Sequence, residues 1–304
     1  MTKRVVAILG LGRVEADAWV LSSDDLGLTR GDGCFEATRV TSRAEGNPSR
    51  DSRQGERGCR ISISHRVDHL VEHLDRFQAS CVALDLPDVD REAWKGLIEQ
   101  VLADWDVPGE AMLKLMLTRG RESTPTGPVT GIVTISPITD KTLQLRRTGL
   151  SVITLNRGTA SDAFAAAPWL LGGVKTLSYA VNVAAGREAE RRGADDVIFV
   201  SSDGYVLEGP TSAVVWLADG RLNTTPTEGT GILKSITQRA LFAGAGRQGL
   251  RTAQVLGTPA DLLGADGVWL VSSGRGVARV HSIDGGRLPT MPELSDRIAA
   301  LADF

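Results

Sequence analysis

The stretch from Gly172 to Val215 constrains the fold most strongly, because several local signals follow one another within it. Small apolar residues alternate with arginine and glutamate at helical spacing over residues 176–192, which predicts an amphipathic helix. The β-branched and aromatic run from Val197 to Val200 predicts a short buried strand, and Asp203-Gly204 predicts a hairpin turn after it. The stretch therefore predicts a helix followed by a hairpin.

Two charged residues, Lys175 and Glu208, lie at the edges of these elements. Gly172-Gly173 precede the lysine and allow the backbone to pass close to a neighbouring segment. A lysine or a glutamate taken alone is usually a solvated surface charge. We interpret this pair as functional because other parts of the chain supply anion-binding motifs, and we predict that neighbouring elements carry both side chains to one cleft.

Composition excludes several classes of protein. The 304 residues, of which 42% are hydrophobic, are enough for two packed domains. A net charge of −3 gives no case for a nucleic-acid or anionic-membrane partner.

Cys34, Cys59 and Cys81 show no CxxC spacing, which favours free thiols in a reducing cytoplasm. No apolar run has the length of a membrane span, and charged residues interrupt the weak signal-peptide pattern at the N-terminus. We expect a cytoplasmic protein.

Strands and helices alternate along the rest of the chain. Val5 to Leu9 predicts a strand, and we interpret Gly10-Leu11-Gly12 as a turn because the third glycine of a dinucleotide-binding motif is missing. Ser42 to Arg60 is polar, which predicts a mobile hairpin excursion. The remaining patterns predict strands over 35–40, 112–119, 129–136, 150–155 and 268–271, and helices over 64–84, 90–105 and 289–304.

Histidines recur every four residues on the predicted helix 64–84, at His65, His69 and His73. This spacing could hold a metal, but no carboxylate or cysteine motif completes a site, and a polar helix face explains the pattern equally well. We predict no metal site. Arg76 lies near the end of the same helix, where it is either a solvated arginine or a fixed partner for an anion.

Three segments offer groups that could hold one phosphate. Ile232 to Thr237 opens a helix, whose N-terminal N–H groups and dipole favour an anion, and Thr237 adds a hydroxyl. The strand over 268–271 ends in Ser272-Ser273-Gly274, and Arg76 supplies a cation. A phosphate anchor, an amine and a carboxylate suit pyridoxal 5′-phosphate. Lys175 would form the Schiff base and Glu208 would keep the pyridine nitrogen protonated.

In this order the motifs resemble those of the fold-type IV pyridoxal-phosphate enzymes, also called aminotransferase class IV. The resemblance covers nearly the whole chain and rests on Gly31-Asp-Gly-Cys-Phe-Glu36, His73-Leu-Asp-Arg76, Gly173-Val-Lys175-Thr-Leu, Glu208-Gly-Pro-Thr-Ser, Ile232-Leu-Lys-Ser-Ile-Thr237 and Ser273. It implies that Lys175 is catalytic and that the cofactor is held by Arg76, Lys175, Glu208, Leu233, Ile236, Thr237 and Ser273. In this family the leucine packs on the cofactor ring, and the Ile-Thr pair binds its phosphate.

The resemblance also implies an α+β fold with two domains, as in D-amino acid aminotransferases. We predict a smaller N-terminal domain over residues 1–148, a connection over 149–171 and a larger domain over 172–304, with the cofactor between the domains. The family further implies a homodimer. Three positions depart from the family pattern, namely Ala213, Ser235 and Gln238, and none of them removes a cofactor contact.

Within this family the sequence resembles aminodeoxychorismate lyases and D-amino acid aminotransferases most closely, and Gly31-Asp-Gly-Cys-Phe35 is similar to the lyases. D-amino acid aminotransferases clamp the substrate carboxylate with a tyrosine, an arginine and a histidine. Here Phe35 stands at the tyrosine position, and residues 121–128 contain no histidine. We predict a lyase that converts 4-amino-4-deoxychorismate to 4-aminobenzoate and pyruvate in folate biosynthesis. A D-amino acid or branched-chain-like aminotransferase using 2-oxoglutarate is the alternative, and a non-catalytic binding module of the same fold is a third.

Overall fold

Two units make up the chain, and each has a sheet of its own. The computed structural model describes residues 3–45, 62–88 and 90–302. The first unit comprises residues 1–81 and 86–138, and the second comprises residues 82–85 and 139–304. The excursion predicted over residues 42–60 lies outside the described residues, except for its first four positions.

The first unit is built on a six-stranded sheet in the order β2-β1-β6-β5-β3-β4, in which all neighbours are antiparallel. Its elements are β1 (Val5–Ile8), β2 (Gly12–Val14), α1 (Leu26–Arg30), β3 (Gly33–Glu45), β4 (Ser62–Val67), α2 (Leu70–Ala83), α3 (Arg91–Ala103), β5 (Gly109–Thr118) and β6 (Thr130–Pro137). Strands β1, β3, β5 and β6 and helix α3 confirm the corresponding predictions. The interpretation of Gly10-Leu11-Gly12 as a turn is also confirmed, since it joins β1 to β2.

Helices α2 and α3 pack through an aromatic pair. The rings of Phe77 and Trp94 meet edge to face, with their centroids 5.0 Å apart. Along β5 the residues alternate between buried and half-buried, so that Ala111, Leu113 and Leu115 enter the core. Apolar alternation thus decides which face of this sheet is buried.

The helix predicted from Ser64 is wrong at its start. Residues 62–67 form β4, which pairs with residues 40–45 of β3, and α2 begins only at Leu70. The backbone of His69 has φ 48°, a left-handed conformation that separates strand from helix. His65, His69 and His73 therefore do not share one helical face. A short strand and a helix can both carry apolar residues at the spacing that suggested a longer helix.

A buried carboxylate fixes α2 on β3. Glu36 is 1% exposed, and its two oxygens accept from Nε and Nη2 of Arg76 at 2.8 and 2.7 Å. Nδ1 of His73 lies 3.1 Å from the same carboxylate, and the Ala37 N–H donates to it at 2.8 Å. Burial alone raises the pKa of Glu36, but the hydrogen bonds from His73 and Arg76 outweigh burial and lower it to about 2.

The second unit is built on a larger sheet with strand order β11-β10-β9-β12-β13-β7-β8, and β14 pairs with β13. Its elements are α4 (Asp140–Thr148), β7 (Leu150–Asn156), α5 (Ala180–Arg191), β8 (Asp196–Val200), β9 (Ala213–Ala218), β10 (Arg221–Thr224), α6 (Ile236–Arg247), β11 (Arg251–Gln254), α7 (Pro259–Leu263), β12 (Gly267–Ser272), β13 (Gly276–Ile283), β14 (Gly286–Arg287) and α8 (Pro292–Leu301). A short 3-10 helix spans Pro168–Leu170. Parallel and antiparallel pairs both occur, so the sheet is mixed.

Both faces of this sheet are buried. Alternate residues of β9 and β12 point to opposite faces, so Trp216 and Trp269 belong to different apolar clusters. The first cluster includes Leu262 of α7, and the second includes Leu241 of α6 and Leu301 of α8. The sheet therefore lies between helical layers, which confirms the predicted α+β fold class.

Local turn signals were confirmed to different degrees. Asp219 and Gly220 both have positive φ and join β9 to β10 as a two-residue hairpin. Residues 201–205 form a longer turn around Asp203-Gly204, because the strand bridge closes between Val200 and Val206.

The helix predicted over 176–192 begins later, at α5. The predicted domain boundaries stay a prediction; the division between units falls after residue 138, and β7 lies within the predicted connection.

No helix in residues 3–45, 62–88 and 90–302 combines the length and apolar character needed to span a membrane. Cys34 and Cys81 are buried free thiols, with their sulfur atoms 3.5 Å apart, whereas Cys59 lies outside the described residues.

The close packing of α6 on α8 predicts a stability difference between two glycines of α6. A Cβ atom at Gly244 would collide with the backbone carbonyl of Leu301, whereas one at Gly246 would meet nothing within 4 Å. We expect Gly244→Ala to destabilise the protein by about 1–3 kcal/mol through overpacking. The matched control Gly246→Ala should stabilise it by up to about 1 kcal/mol through helix propensity. Thermal unfolding measures both, and equal midpoints for the two variants would contradict this packing.

The lowered pKa of Glu36 predicts an acid-dependent contribution to stability. A carboxyl group whose pKa is lower in the folded protein than in the unfolded chain stabilises the fold at pH values above its unfolded pKa of about 4.5. This contribution is lost as the pH falls towards 2, the pKa in the folded protein. We expect Glu36→Gln to lower the unfolding midpoint strongly at pH 7 and progressively less as the pH falls from 4.5 to 3. Glu99→Gln, at an exposed position of α3, is the control and should leave the pH profile unchanged. A pH-independent gap between wild type and Glu36→Gln would contradict the assignment.

Candidate active site

A close approach of two backbone segments positions Lys175. The N–H of Gly173 donates to the carbonyl of Gly231 at 2.8 Å, and both glycines have positive φ. The ring of Phe164 packs where a Cβ atom at Gly231 would lie. The two glycines therefore permit an approach that a side chain would block, and it places the segment before α5 against the loop before α6. Lys175 follows directly and is half-buried.

Tyr179 connects Lys175 to the segment that carries Glu208. The Lys175 Nζ lies 5.7 Å from the centre of the Tyr179 ring, a cation–π distance. The Tyr179 hydroxyl donates to the carbonyl of Pro210 at 3.0 Å, and Asn182 of α5 donates to the same carbonyl at 2.7 Å. The start of α5 is thus tied to the residues immediately after Glu208.

Backbone hydrogen bonds hold Glu208 at the end of its extended segment. Phe199 of β8 donates its N–H to the Glu208 carbonyl at 2.8 Å and accepts from the N–H of Leu207 at 2.8 Å. The Glu208 side chain is half-buried, and its Oε2 accepts the N–H of Leu233 at 3.1 Å. This hydrogen bond fixes the carboxylate beside the residue predicted to pack on the cofactor ring.

The beginning of α6 presents several donors to one small region. Ser235 caps the helix by accepting the N–H of Gln238 at 3.2 Å. The N–H groups of Ile236 and Thr237 have no acceptor within the helix, because they lie in its first turn. Thr237 is 2% exposed, and its hydroxyl oxygen lies 3.4 Å from that of Ser273. Two hydroxyls and two backbone N–H groups therefore meet at a helix N-terminus, a combination that favours a phosphate.

The second unit thus contains six of the seven predicted site residues, in three linked groups. Lys175 stands beside Tyr179, Glu208 is bonded to Leu233, and Ile236, Thr237 and Ser273 surround the start of α6. Arg76 belongs to the first unit, where its guanidinium pairs with Glu36. Its predicted contact with a phosphate stays a prediction.

Sequence reasoning missed Tyr179, Asn182 and the capping role of Ser235. Tyr179 follows Lys175 at i+4, the spacing at which side chains meet on a helix, although α5 itself starts one residue later. Ser235 precedes the first helical residue and matches a known capping preference. It replaces the glycine that the family pattern has at this position. No local pattern marks the carbonyl of Pro210 as an acceptor.

The described residues contain no group of three or more His, Cys, Asp or Glu side chains arranged to hold a metal ion. His65 instead contacts the Ser42 hydroxyl through Nδ1 at 2.9 Å, and burial lowers the pKa of its ring. Burial likewise lowers the pKa of His73, despite the Glu36 carboxylate beside it. These histidines are accounted for by packing and local hydrogen bonds.

Comparison with known proteins identifies relatives along nearly the whole chain. The model of the amino-transferase class IV family matches residues 59–283. A bifunctional aminodeoxychorismate lyase / D-amino acid transaminase from Mycobacterium tuberculosis is 40% identical over 294 residues, which cover 93% of this chain and 92% of that protein.

Two solved structures have the same fold. A hypothetical aminotransferase from Mycobacterium tuberculosis in its PLP-bound form is 38% identical, with a TM-score of 0.86 and coverage of 98% of this chain and 97% of that one. A fold IV transaminase from Curtobacterium pusillum is 37% identical, with a TM-score of 0.85 and coverage of 99% and 100%. With the family match, these similarities lead to one conclusion: the chain belongs to the class IV aminotransferases, the fold-type IV enzymes that its motifs predicted.

Proposed function

We propose that the protein is an aminodeoxychorismate lyase that converts 4-amino-4-deoxychorismate to 4-aminobenzoate and pyruvate. The observation that carries this proposal is the linked arrangement of Lys175, Glu208 and the donor group at Thr237, in a chain of the class IV family. The name of the 40% identical relative, which includes the lyase activity, supports the choice of reaction.

The cofactor is pyridoxal 5′-phosphate, and the chemistry of the site residues fits it. The hydroxyls of Thr237 and Ser273 and the first N–H groups of α6 suit a phosphate dianion. Glu208, held by the Leu233 N–H, supplies a carboxylate for a protonated ring nitrogen. Lys175 supplies the amine that holds the aldehyde. When bound, this cofactor acts as an electron sink for negative charge that develops on the substrate carbon bearing nitrogen.

The protein's own residues then perform three tasks. The start of α6 fixes the anionic end of the cofactor, so that the reacting carbon is held in one place. Glu208 keeps a proton on the ring nitrogen, because its negative charge favours the protonated form. The Nζ of Lys175 takes the proton from the substrate carbon and acts as the general base. Tyr179 limits where that amine can move, because its ring lies beside Nζ and its hydroxyl is anchored to Pro210.

The arginines near the expected carboxylate clamp favour the lyase over the transaminase. Arg119 donates to Asp32 through Nε at 2.6 Å, and Arg121 donates to Asp24 at 3.0 Å. Both guanidiniums are therefore paired with carboxylates of the protein. Phe35, at the position where D-amino acid aminotransferases carry tyrosine, offers no hydroxyl. The clamp expected for D-amino acids thus lacks its tyrosine and histidine in this sequence.

D-amino acid transamination is the second candidate and would use the same site. Proton removal by Lys175 is common to both reactions. A lyase then expels the enolpyruvyl group as pyruvate, whereas a transaminase releases the 2-oxo acid of the first substrate and transfers the amino group to 2-oxoglutarate. The 40% identical relative carries both activities in its name, which supports a bifunctional enzyme here. The alternative of a non-catalytic binding module has less support, because Lys175 and Glu208 are both present. The predicted homodimer and the cytoplasmic location stay predictions.

Removal of the amine tests the shared chemistry. We expect Lys175→Ala to lower both activities by at least about a thousandfold, because it removes the general base and the attachment point for the aldehyde. Formation of 4-aminobenzoate and of pyruvate from D-alanine measures the two reactions. Lys141→Ala, at an exposed position of α4, is the matched control and should keep wild-type rates. Full activity in Lys175→Ala would exclude the proposed mechanism.

A direct comparison of substrates tests the choice of reaction. We expect the purified enzyme to form 4-aminobenzoate from 4-amino-4-deoxychorismate, with a higher kcat/KM than it shows for D-alanine with 2-oxoglutarate. The physical reason is the missing D-amino acid clamp, since unpaired substrate carboxylates bind weakly. If only the D-alanine mixture reacts, the protein is a transaminase and the lyase proposal is wrong.

A further inference from the structure

A single arginine outside the cofactor site holds the turn that carries Ser273. Arg146 lies in α4, and its Nε donates to the carbonyl of Arg275 at 2.8 Å. Its Nη2 donates to the carbonyl of Gly274 at 3.0 Å. One guanidinium thus binds two successive carbonyls of the turn between β12 and β13. This is a fork geometry that a planar guanidinium provides and an ammonium does not.

These two hydrogen bonds determine how the turn presents its dipoles. A peptide unit is planar and trans, so its N–H points away from its carbonyl. The Gly274 carbonyl faces Arg146, and the N–H of the same peptide, which belongs to Arg275, donates to the Ser272 hydroxyl at 3.3 Å. The partial negative charges are therefore directed to the α4 side, and the N–H side of this peptide faces Ser272. That orientation suits an anion held at Ser273.

The turn is also fixed from another direction. Arg275 Nη1 lies 2.5 Å from the Asp196 carboxylate at the start of β8, and both side chains are largely buried. Ser273, between Ser272 and Gly274, thus lies in a turn held by α4 at its backbone and by β8 through a side chain. Its hydroxyl oxygen is 3.4 Å from that of Thr237, so displacement of the turn would separate the two hydroxyls.

We propose that Arg146 is a positioning residue for the cofactor phosphate, and that it acts through the backbone of the turn from Ser272 to Arg275. This inference rests on the proposed function, because it requires Ser273 and Thr237 to bind that phosphate. The guanidinium orients the turn so that the carbonyls of Gly274 and Arg275 point towards α4 and the Ser273 hydroxyl stays beside that of Thr237. Specificity for the phosphorylated form of the cofactor follows from this orientation.

The test compares cofactors with and without the phosphate. The full-length holoenzyme is dialysed free of cofactor and titrated by absorbance with pyridoxal 5′-phosphate and, separately, with pyridoxal. We expect Arg146→Ala to raise the Kd for pyridoxal 5′-phosphate about tenfold, because it removes two charge-assisted hydrogen bonds that hold the turn. The Kd for pyridoxal should change by less than about twofold. The Kd of Arg146→Lys for pyridoxal 5′-phosphate should lie between the values for Arg146→Ala and wild type. Its positive charge remains, but one ammonium group cannot reproduce the two-pronged geometry of the guanidinium.

Arg147 provides the matched control. It is adjacent in α4, carries the same charge and is exposed, so Arg147→Ala makes the same change in net charge without touching the turn. Equal Kd values for Arg146→Ala and Arg147→Ala would overturn the inference, and so would an equal weakening of both cofactors by Arg146→Ala. If Arg146→Ala does not fold, Arg146→Lys takes its place in the test. We then compare the Kd for pyridoxal 5′-phosphate divided by the Kd for pyridoxal in this variant and in wild type, and an unchanged ratio overturns the inference. Wild-type protein that binds no pyridoxal 5′-phosphate would instead overturn the proposed function.

Discussion

The hydrogen bond between Gly173 and Gly231 is the contact on which the organisation of the site depends. It brings the segment that ends in Lys175 against the loop that leads into α6. The Phe164 ring lies where a Cβ atom at Gly231 would stand, so a side chain at Gly231 would collide with that ring. Two residues beyond Gly231, the Leu233 N–H holds Glu208. One backbone contact thus sets the position of the amine, the carboxylate and the helix that presents Thr237.

The helix α6 combines a first turn that presents hydrogen-bond donors with a closely packed body. Its first turn offers the N–H groups of Ile236 and Thr237, which have no acceptor within the helix, and the buried hydroxyl of Thr237. Further along, Gly244 lies against the α8 backbone, and Leu241 is fully buried in the apolar cluster of Trp269. Packing of the body therefore fixes where the donors point.

In the first unit, a buried ion pair holds Arg76 in place. Glu36 is almost completely buried, and Arg76, His73 and the Ala37 N–H together satisfy it. A buried carboxylate is costly, and it is tolerated only when such partners outweigh desolvation, as its low pKa reflects. Because both nitrogens of Arg76 that face Glu36 are engaged, the arginine is held in one orientation.

The sequence by itself determined the family, the cofactor and most of the element order. Lys175, Glu208, Thr237 and Ser273 could be predicted as site residues because residue type and motif order are local properties. Strands such as β5 and the hairpin at Asp219-Gly220 followed from periodicity and turn preference. The start of α2 could not be predicted, because pairing of β4 with β3 overrides a helical apolar pattern.

Only the tertiary structure decided how these residues are connected. Leu233 meets Glu208 across 25 residues, and Arg146 meets Arg275 across 129. Hydrogen bonds to backbone carbonyls, such as that of Pro210, depend on where the chain passes and not on the side chain of the acceptor residue. No local period records such contacts. The sequence therefore predicted which groups act, and the fold specified what holds each of them in place.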